Sequence, residues 1–250
     1  MKKINKFTCG LLCAGALSVS SFANASVVKF SGLTASWINI DPVAISVSGN
    51  GTDTASMAWG TPLLTQGPQS DYVFETASTP FQVELPPSPS AAFDLGTWTF
   101  NNNPLSPNTD IVNDILRSAT LQLDTTIEVD GTSVGTKSFF FDFTHIETPN
   151  NDDPCANGDA NGVGNNIPFC ADIVKVAYNN LSESFLVNGD LYTLNVQGSS
   201  YIEAIEKIST SFDIKGVLEL DTRNVSEPGT LALLGLGLAG LGVRLRRKSA

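Results

Sequence analysis

Short runs of β-branched and aromatic residues, separated by clusters of Gly, Asn, Pro and Asp, recur along most of this 250-residue chain. Residues 120–129 alternate apolar and polar side chains, and the turn signal Asp130 and Gly131 follows them directly. Such alternation is typical of a strand with one buried face, and an Asp-Gly pair is a strong hairpin signal. The pattern therefore predicts antiparallel strands joined by short turns, with little helix.

The same signals predict two hairpins and an all-β fold. Residues 120–129 should pair with residues 137–143, and residues 184–187 with residues 191–196. The remaining predicted strands cover residues 26–30, 34–40, 43–48 and 211–220. Residues 201–208 fit either a helix or a strand, because three isoleucines stand there at helical spacing. Strands at this density predict an antiparallel, jelly-roll-like β-sandwich that forms one exported domain over residues 26–225.

The first 25 residues have the three parts of a secretory signal peptide. Three lysines precede an apolar stretch at residues 7–19, and Ala23 and Ala25 form an A-x-A cleavage site, so the mature chain is predicted to begin at Ser26. An uncleaved membrane anchor is the alternative, but the apolar stretch is short for it. The predicted partners of this segment are the Sec translocon and signal peptidase.

The last 25 residues, 226–250, combine a polar motif, an apolar run and a basic end. The motif (residues 226–230) begins with Ser226, Glu227 and Pro228, and the apolar run covers residues 231–243. As a helix this run would be about 20 Å long, against about 30 Å for a bilayer core. We therefore predict a short C-terminal hydrophobic helix that holds the chain in the inner membrane only transiently. The basic tail (residues 244–248) would act as a positive stop through Arg244, Arg246, Arg247 and Lys248.

This tail resembles the PEP-CTERM signal of bacterial proteins that are processed by exosortases. Ser226 stands where that motif normally begins with proline, whereas Glu227, Pro228 and the order of the three parts agree with it. The resemblance implies cleavage by an exosortase near the motif. It also implies a final location at the cell surface, or in the exopolysaccharide matrix, of a Gram-negative-type bacterium.

The body between the two signals is strongly acidic. The whole chain has 25 acidic and 14 basic residues, and the terminal segments hold seven of the basic residues and one acidic residue. The body therefore carries a net charge near −17. Such a charge disfavours nucleic acid as a partner and is compatible with solubility outside the cell or with binding of divalent cations.

Cys155 and Cys170 are the only cysteines left after signal removal, and they flank a loop rich in Gly and Asn. In an exported chain such a pair predicts a disulfide, which would stabilise the fold by about 3 kcal/mol. A metal or redox role for the cysteines is the alternative. Inside the loop, Asn157, Asp159 and Asn161 copy the first half of a calcium loop, but Pro168 stands where a bidentate Glu is expected. We therefore predict no cofactor, with calcium as the alternative, for which Asp152, Asp153 or Glu147 would supply the remaining ligands.

His145 is the only histidine, so a metal site made of histidines is excluded. No G-x-S-x-G sequence accompanies it, and no phosphate-binding or dinucleotide-binding fingerprint occurs. We interpret His145 as a structural residue bonded to the loop backbone, and we predict that the protein is not an enzyme. A hydrolase that uses a pair of carboxylates stays open as an alternative, because 24 acidic residues are available in the body.

Three segments of the body resemble the THxN family of PEP-CTERM proteins. They are residues 59–62, residues 95–99, and residues 143–150 with their extension to Asp172. In the segment that aligns with the name-giving motif, Phe100 stands where a histidine is expected. The resemblance implies a β-rich exported protein, and it implies no catalytic residues.

Taken together, these features predict an exported protein of the cell envelope or extracellular matrix with a structural or adhesive role. The first alternative is a carbohydrate- or calcium-binding module. Its sugar-binding form requires exposed aromatic residues, for which Trp37, Trp59 and Trp98 are the candidates. The second alternative is the carboxylate-pair hydrolase.

Overall fold

The structure is a computed structural model that describes residues 25–42, 45–64, 66–106, 114–178, 184–197 and 201–221. The predicted signal peptide (apart from its last residue, Ala25), the sorting motif, the hydrophobic helix and the basic tail lie outside these ranges. Within the described ranges no helix is long and apolar enough to cross a membrane.

The described residues form strands almost exclusively, as the alternation predicts, with one short 3-10 helix at Gly164–Asn166. The strands, in chain order, are β1 (Ser26–Asp41), β2 (Ser46–Ser48), β3 (Thr54–Trp59), β4 (Ser70–Thr76), β5 (Phe81–Leu85), β6 (Phe93–Asn101), β7 (Ser118–Val129), β8 (Thr132–Ile146), β9 (Asp172–Tyr178), β10 (Phe185–Val187), β11 (Asp190–Gln197), β12 (Ile202–Ala204) and β13 (Ser209–Asp221).

These strands form two antiparallel sheets. The first sheet has the order β12-β9-β8-β7-β1-β5, and the second has the order β10-β11-β13-β6-β4-β3-β2. Both predicted hairpins are confirmed: β7 pairs with β8 across the turn at Asp130 and Gly131, and β10 pairs with β11. The all-β fold is therefore confirmed, with two sheets whose inner faces share one hydrophobic core.

Two local predictions differ from the structure. Residues 26–30 and 34–40 are parts of one strand, β1, because Gly32 (φ +64°) lies in a bulge between Ser31 and Thr34 and not in a turn. Residues 201–208 contain no helix. They form the short strand β12 and then a turn, in which the Ile208 N–H donates to the Ile205 carbonyl.

The core is dominated by aromatic side chains that meet between the sheets. The ring centroid of Phe143 in β8 lies 5.7 Å from that of Trp98 in β6, and the centroid of Trp37 in β1 lies 5.8 Å from that of Tyr72 in β4. All three tryptophans are at most 1% exposed. They therefore form no sugar-binding face, and the carbohydrate-binding alternative loses the feature on which it depended.

Candidate functional site

The most unusual part of the core is a group of ionisable side chains at one end of the sandwich. Phe139, Phe141 and Phe143 of β8 point inward at every second position, and His145 continues this alternation as a buried side chain. Glu147 follows with the same parity just beyond the strand. Because every second side chain of β8 faces the core, the same alternation places the imidazole of His145 and then the carboxylate of Glu147 on the inward face.

Two neighbouring strands add carboxylates to the same face. The register pairs Ile146 with Ile173, so Asp172 at the start of β9 comes next to Glu147. The imidazole of His145 and the carboxylates of Glu147 and Asp172 each have a ligand atom within 4.8 Å of the others. Ala204 of β12 pairs with Asp172, and Glu206 lies two residues further along the chain. We call His145, Glu147, Asp172 and Glu206 the acidic cluster.

Tyr72 contacts the cluster from the opposite sheet. Its phenol oxygen and His145 Nδ1 are 2.7 Å apart and share a hydrogen bond, while His145 Nε2 faces Glu147 Oε2 at 3.4 Å. The rings of Trp59 and Phe100 stand nearly edge-on to the imidazole, with centroids 5.1 Å and 5.3 Å away. The imidazole is therefore held in one orientation. The interpretation that His145 bonds the loop backbone through its ring is wrong, because both ring nitrogens face side chains.

Asn102 positions the segment that carries Glu206. Its side-chain amide donates to the Ala204 carbonyl (2.9 Å), and its backbone carbonyl accepts from the Lys207 N–H (2.8 Å). Asn102 and Phe100 thus both lie against the acidic cluster.

Burial changes the protonation of these groups. Asp172 and Glu206 have no exposed surface. Burial, reinforced by the charge of Glu147, raises the pKa of Asp172 well above its usual value, although the Thr148 N–H that donates to it acts in the opposite direction. The same two causes, opposed by Lys207, raise the pKa of Glu206 to about 7. Burial also raises the pKa of Tyr72, so its phenol stays protonated.

Three buried carboxylate oxygens have no hydrogen-bond partner within the described part of the chain. They are Oδ2 of Asp172 and both side-chain oxygens of Glu206. An unpaired buried carboxylate is costly, because its charge loses hydration without compensation. The unpaired carboxylate oxygens of the cluster can therefore take up protons or bind a cation.

The loop between β8 and β9 links the segments that carry Glu147 and Asp172, and the predicted disulfide closes it. Cys155 and Cys170 are bonded, with Cα atoms 5.4 Å apart. Asn166, which is fully buried, exchanges two side-chain hydrogen bonds with Asn157 and also accepts from the Ala171 N–H. The predicted disulfide is confirmed, and the loop is ordered by its own amides.

The residues of the calcium pattern take part in the hydrogen bonds of this loop. Asn157 Oδ1 accepts from the Asp159 N–H (3.1 Å) and from Asn166 Nδ2 (3.1 Å), which uses both of its lone pairs. The side-chain amide of Asn161 donates to the carbonyls of Asn150 and Asp152. This arrangement weighs against Asn157 as a calcium ligand.

Sequence reasoning singled out His145, but it did not predict that Tyr72, Asp172 and Glu206 lie beside it. One signal was available: the inward alternation from Phe139 to Phe143 continues through His145 to Glu147. The contributions of Tyr72 and Glu206 have no such signal, because they depend on which strands lie next to and across from β8.

Comparison with known proteins bears on the C-terminal segment. Residues 224–248 match the PEP-CTERM protein-sorting motif, and this match coincides with the motif, apolar run and basic tail described above. It indicates an exported bacterial protein that an exosortase sorts to the cell surface. No curated protein matches the chain. The resemblance of the body to THxN proteins stays a prediction.

Proposed function

We propose that this chain is a structural or adhesive protein of the bacterial cell surface or exopolysaccharide matrix, and that it has no catalytic activity. The match of residues 224–248 to the sorting motif carries the proposal. The signal peptide directs the chain to the Sec translocon, the apolar run holds it in the inner membrane, and an exosortase then releases the body. The body is a member of the THxN group of such proteins.

Two features of the body support this proposal. In the acidic cluster Glu147 and Asp172 lie close together, and Asp172 and Glu206 have no exposed surface. A carboxylate-pair hydrolase needs both groups beside a bound sugar. The large net negative charge, in turn, keeps the body soluble and separate from anionic membranes after its release.

The sorting step is tested by mass spectrometry of the mature protein from a host that has an exosortase. The expected C-terminus lies near Glu227, and the variant Glu227→Ala with Pro228→Ala should keep its basic tail and stay in the membrane fraction. Glu219→Ala serves as the control, since Glu219 is exposed on β13 and precedes the motif. Recovery of wild-type protein with Arg247 and Lys248 still attached would contradict the proposal.

The adhesive role needs a separate experiment. The exported chain is incubated with the host's own exopolysaccharide and sedimented, with heat-unfolded chain as the control. We expect co-sedimentation of the folded chain and no release of reducing ends. Failure to co-sediment would contradict adhesion to the matrix, and release of reducing ends would favour the hydrolase.

A further inference from the structure

The acidic cluster combines one imidazole with carboxylates in a buried setting, and its ligand atoms already converge. His145, Glu147 and Asp172 each offer one atom within 4.8 Å of the others. Ligand atoms that are 2.0–2.2 Å from one tetrahedral ion lie about 3.3–3.6 Å apart. His145 Nε2 and Glu147 Oε2 are already 3.4 Å apart, and the remaining distances would have to shorten by at most about 1.5 Å to form one coordination sphere.

An independent observation points to a cation. Glu206, beside the three converging groups, is fully buried, and neither of its carboxylate oxygens has a hydrogen-bond partner among the described residues. Asp172 Oδ2 also has no donor among the described residues, although the Asp172 carboxyl group can share a proton with Glu147 when it is protonated. The other oxygen of Asp172 accepts from the Thr148 N–H, which fixes the carboxylate on its strand. Folded proteins leave few buried polar groups unpaired, and an ion that satisfies them is one explanation for such a cluster.

We infer that His145, Glu147 and Asp172 form a binding site for a divalent first-row transition-metal ion such as zinc, with Glu206 as a neighbouring carboxyl group. His145 Nε2 is the ligand atom, because Nδ1 is bonded to Tyr72 Oη at 2.7 Å. A hydrogen bond at the other ring nitrogen is the usual way in which proteins orient a metal-binding histidine. In the metal-bound form Nδ1 carries the proton and donates it to Tyr72.

The ligand set distinguishes this ion from calcium. Calcium prefers six to eight oxygen ligands, whereas an imidazole with two carboxylates suits zinc or a similar ion. The charges of Glu147 and Asp172 equal that of one divalent ion when His145 is neutral. The side chain of Glu147 is 17% exposed, whereas that of His145 is 0% exposed, so an ion would enter past Glu147.

Such an ion would connect elements that are far apart in the chain. It would join the end of β8 to the start of β9, the two strands that the disulfide-closed loop links, and through Tyr72 it would couple this edge to the second sheet. The role assigned to the ion is structural. It neutralises the buried carboxylates and holds this end of the sandwich together.

The test is a calorimetric titration of ZnCl₂ into the exported chain after treatment with EDTA and removal of the chelator. We expect one zinc per wild-type chain and a rise in melting temperature when zinc is added. Glu147→Gln removes a ligand charge at the partly exposed position, and it should weaken zinc binding at least about tenfold. Glu84→Gln is the matched control, because Glu84 is exposed on β5 at the far edge of the first sheet.

A second variant guards against a folding defect. Asp172→Asn keeps an oxygen acceptor for the Thr148 N–H and removes only the charge, so it too should fold and lose zinc affinity. Circular dichroism checks the fold of each variant. If the wild-type chain takes up no equivalent of zinc, protons alone satisfy the cluster and the inference is wrong. Equal zinc binding by wild type and Glu147→Gln would place the metal elsewhere and would also overturn it.

Discussion

At the scale of single residues, the protein tolerates ionisable groups in its core because each one is positioned by a specific neighbour. Tyr72 bonds His145 Nδ1, the Thr148 N–H bonds Asp172, and Asn102 holds the turn that carries Glu206. These contacts fix positions without neutralising the carboxylates. The buried carboxyl groups therefore make the stability of the metal-free protein depend on pH.

Glu206 provides the clearest prediction of this kind. Its pKa is about 7 in the folded chain, against an ordinary value of 4.5. A group with a raised folded pKa stabilises the fold below its unfolded pKa, and this contribution is lost as the pH rises through the folded value. The glutamine of Glu206→Gln cannot ionise. From pH 5 to pH 8 the wild type should therefore lose more free energy of unfolding than this variant does.

Urea unfolding in EDTA at these two pH values measures the effect. Glu84→Gln, at an exposed position on β5, should show the same difference from wild type at pH 5 and pH 8. If the difference for Glu206→Gln is also the same at both values, Glu206 does not titrate in this range.

At the scale of elements, the β8–β9 connection is the part whose stability depends most on a single covalent bond. This long loop has no strand of its own, and it is held by the Cys155–Cys170 disulfide and by the side-chain hydrogen bonds around Asn166. Its two ends carry Glu147 and Asp172. The disulfide therefore also restrains the positions of two cluster carboxylates.

Replacement of both cysteines, Cys155→Ala with Cys170→Ala, should lower the free energy of unfolding by about 3 kcal/mol, because the unfolded chain regains the freedom of a 15-residue loop. Denaturant unfolding of the variant, compared with oxidised and reduced wild type, measures this change. The reduced wild type should resemble the variant. A variant as stable as the oxidised protein would mean that the amide contacts of the loop suffice.

The local sequence patterns predicted most strands correctly, but they were less accurate about where a strand continues or ends. The alternation in β7 and β8, with the turn at Asp130 and Gly131, predicted that hairpin correctly because both strands are neighbours in the sequence. It divided β1 in two, because a bulge glycine and a turn glycine have the same local signature. It also left residues 201–208 ambiguous, because pairing with β9 decides that they begin as a strand.

At the scale of the whole molecule, the two sheets behave as one body because aromatic side chains from both meet at the centre. Phe143 of the first sheet contacts Trp98 of the second sheet and Trp37 of its own sheet. All three residues are at most 1% exposed. The packing predicts a single cooperative unfolding transition, which tryptophan fluorescence and circular dichroism should report at the same denaturant concentration.

Phe143→Ala tests this central packing. It should cost about 3–5 kcal/mol, because the cavity lies between both sheets and cannot close easily. Phe140→Ala is the matched control on the same strand, since the side chain of Phe140 lies on the opposite face and is only half-buried. Equal losses of stability for the two variants would contradict the idea that the inter-sheet contacts dominate.

The sequence alone predicted the sorting motif, the all-β character and the disulfide, because each of these depends on residues that are close together in the chain. The signal peptide stays a prediction. The tertiary structure decided that Tyr72 meets His145 across 73 positions and that Asp172 and Glu206 converge on the same buried space. The reason is physical. The alternation of apolar and polar side chains along a strand shows which of its faces is buried, but it does not show which strand lies beside it or across from it. The acidic cluster depends on the order of β12, β9 and β8 and on the packing of β4 against them.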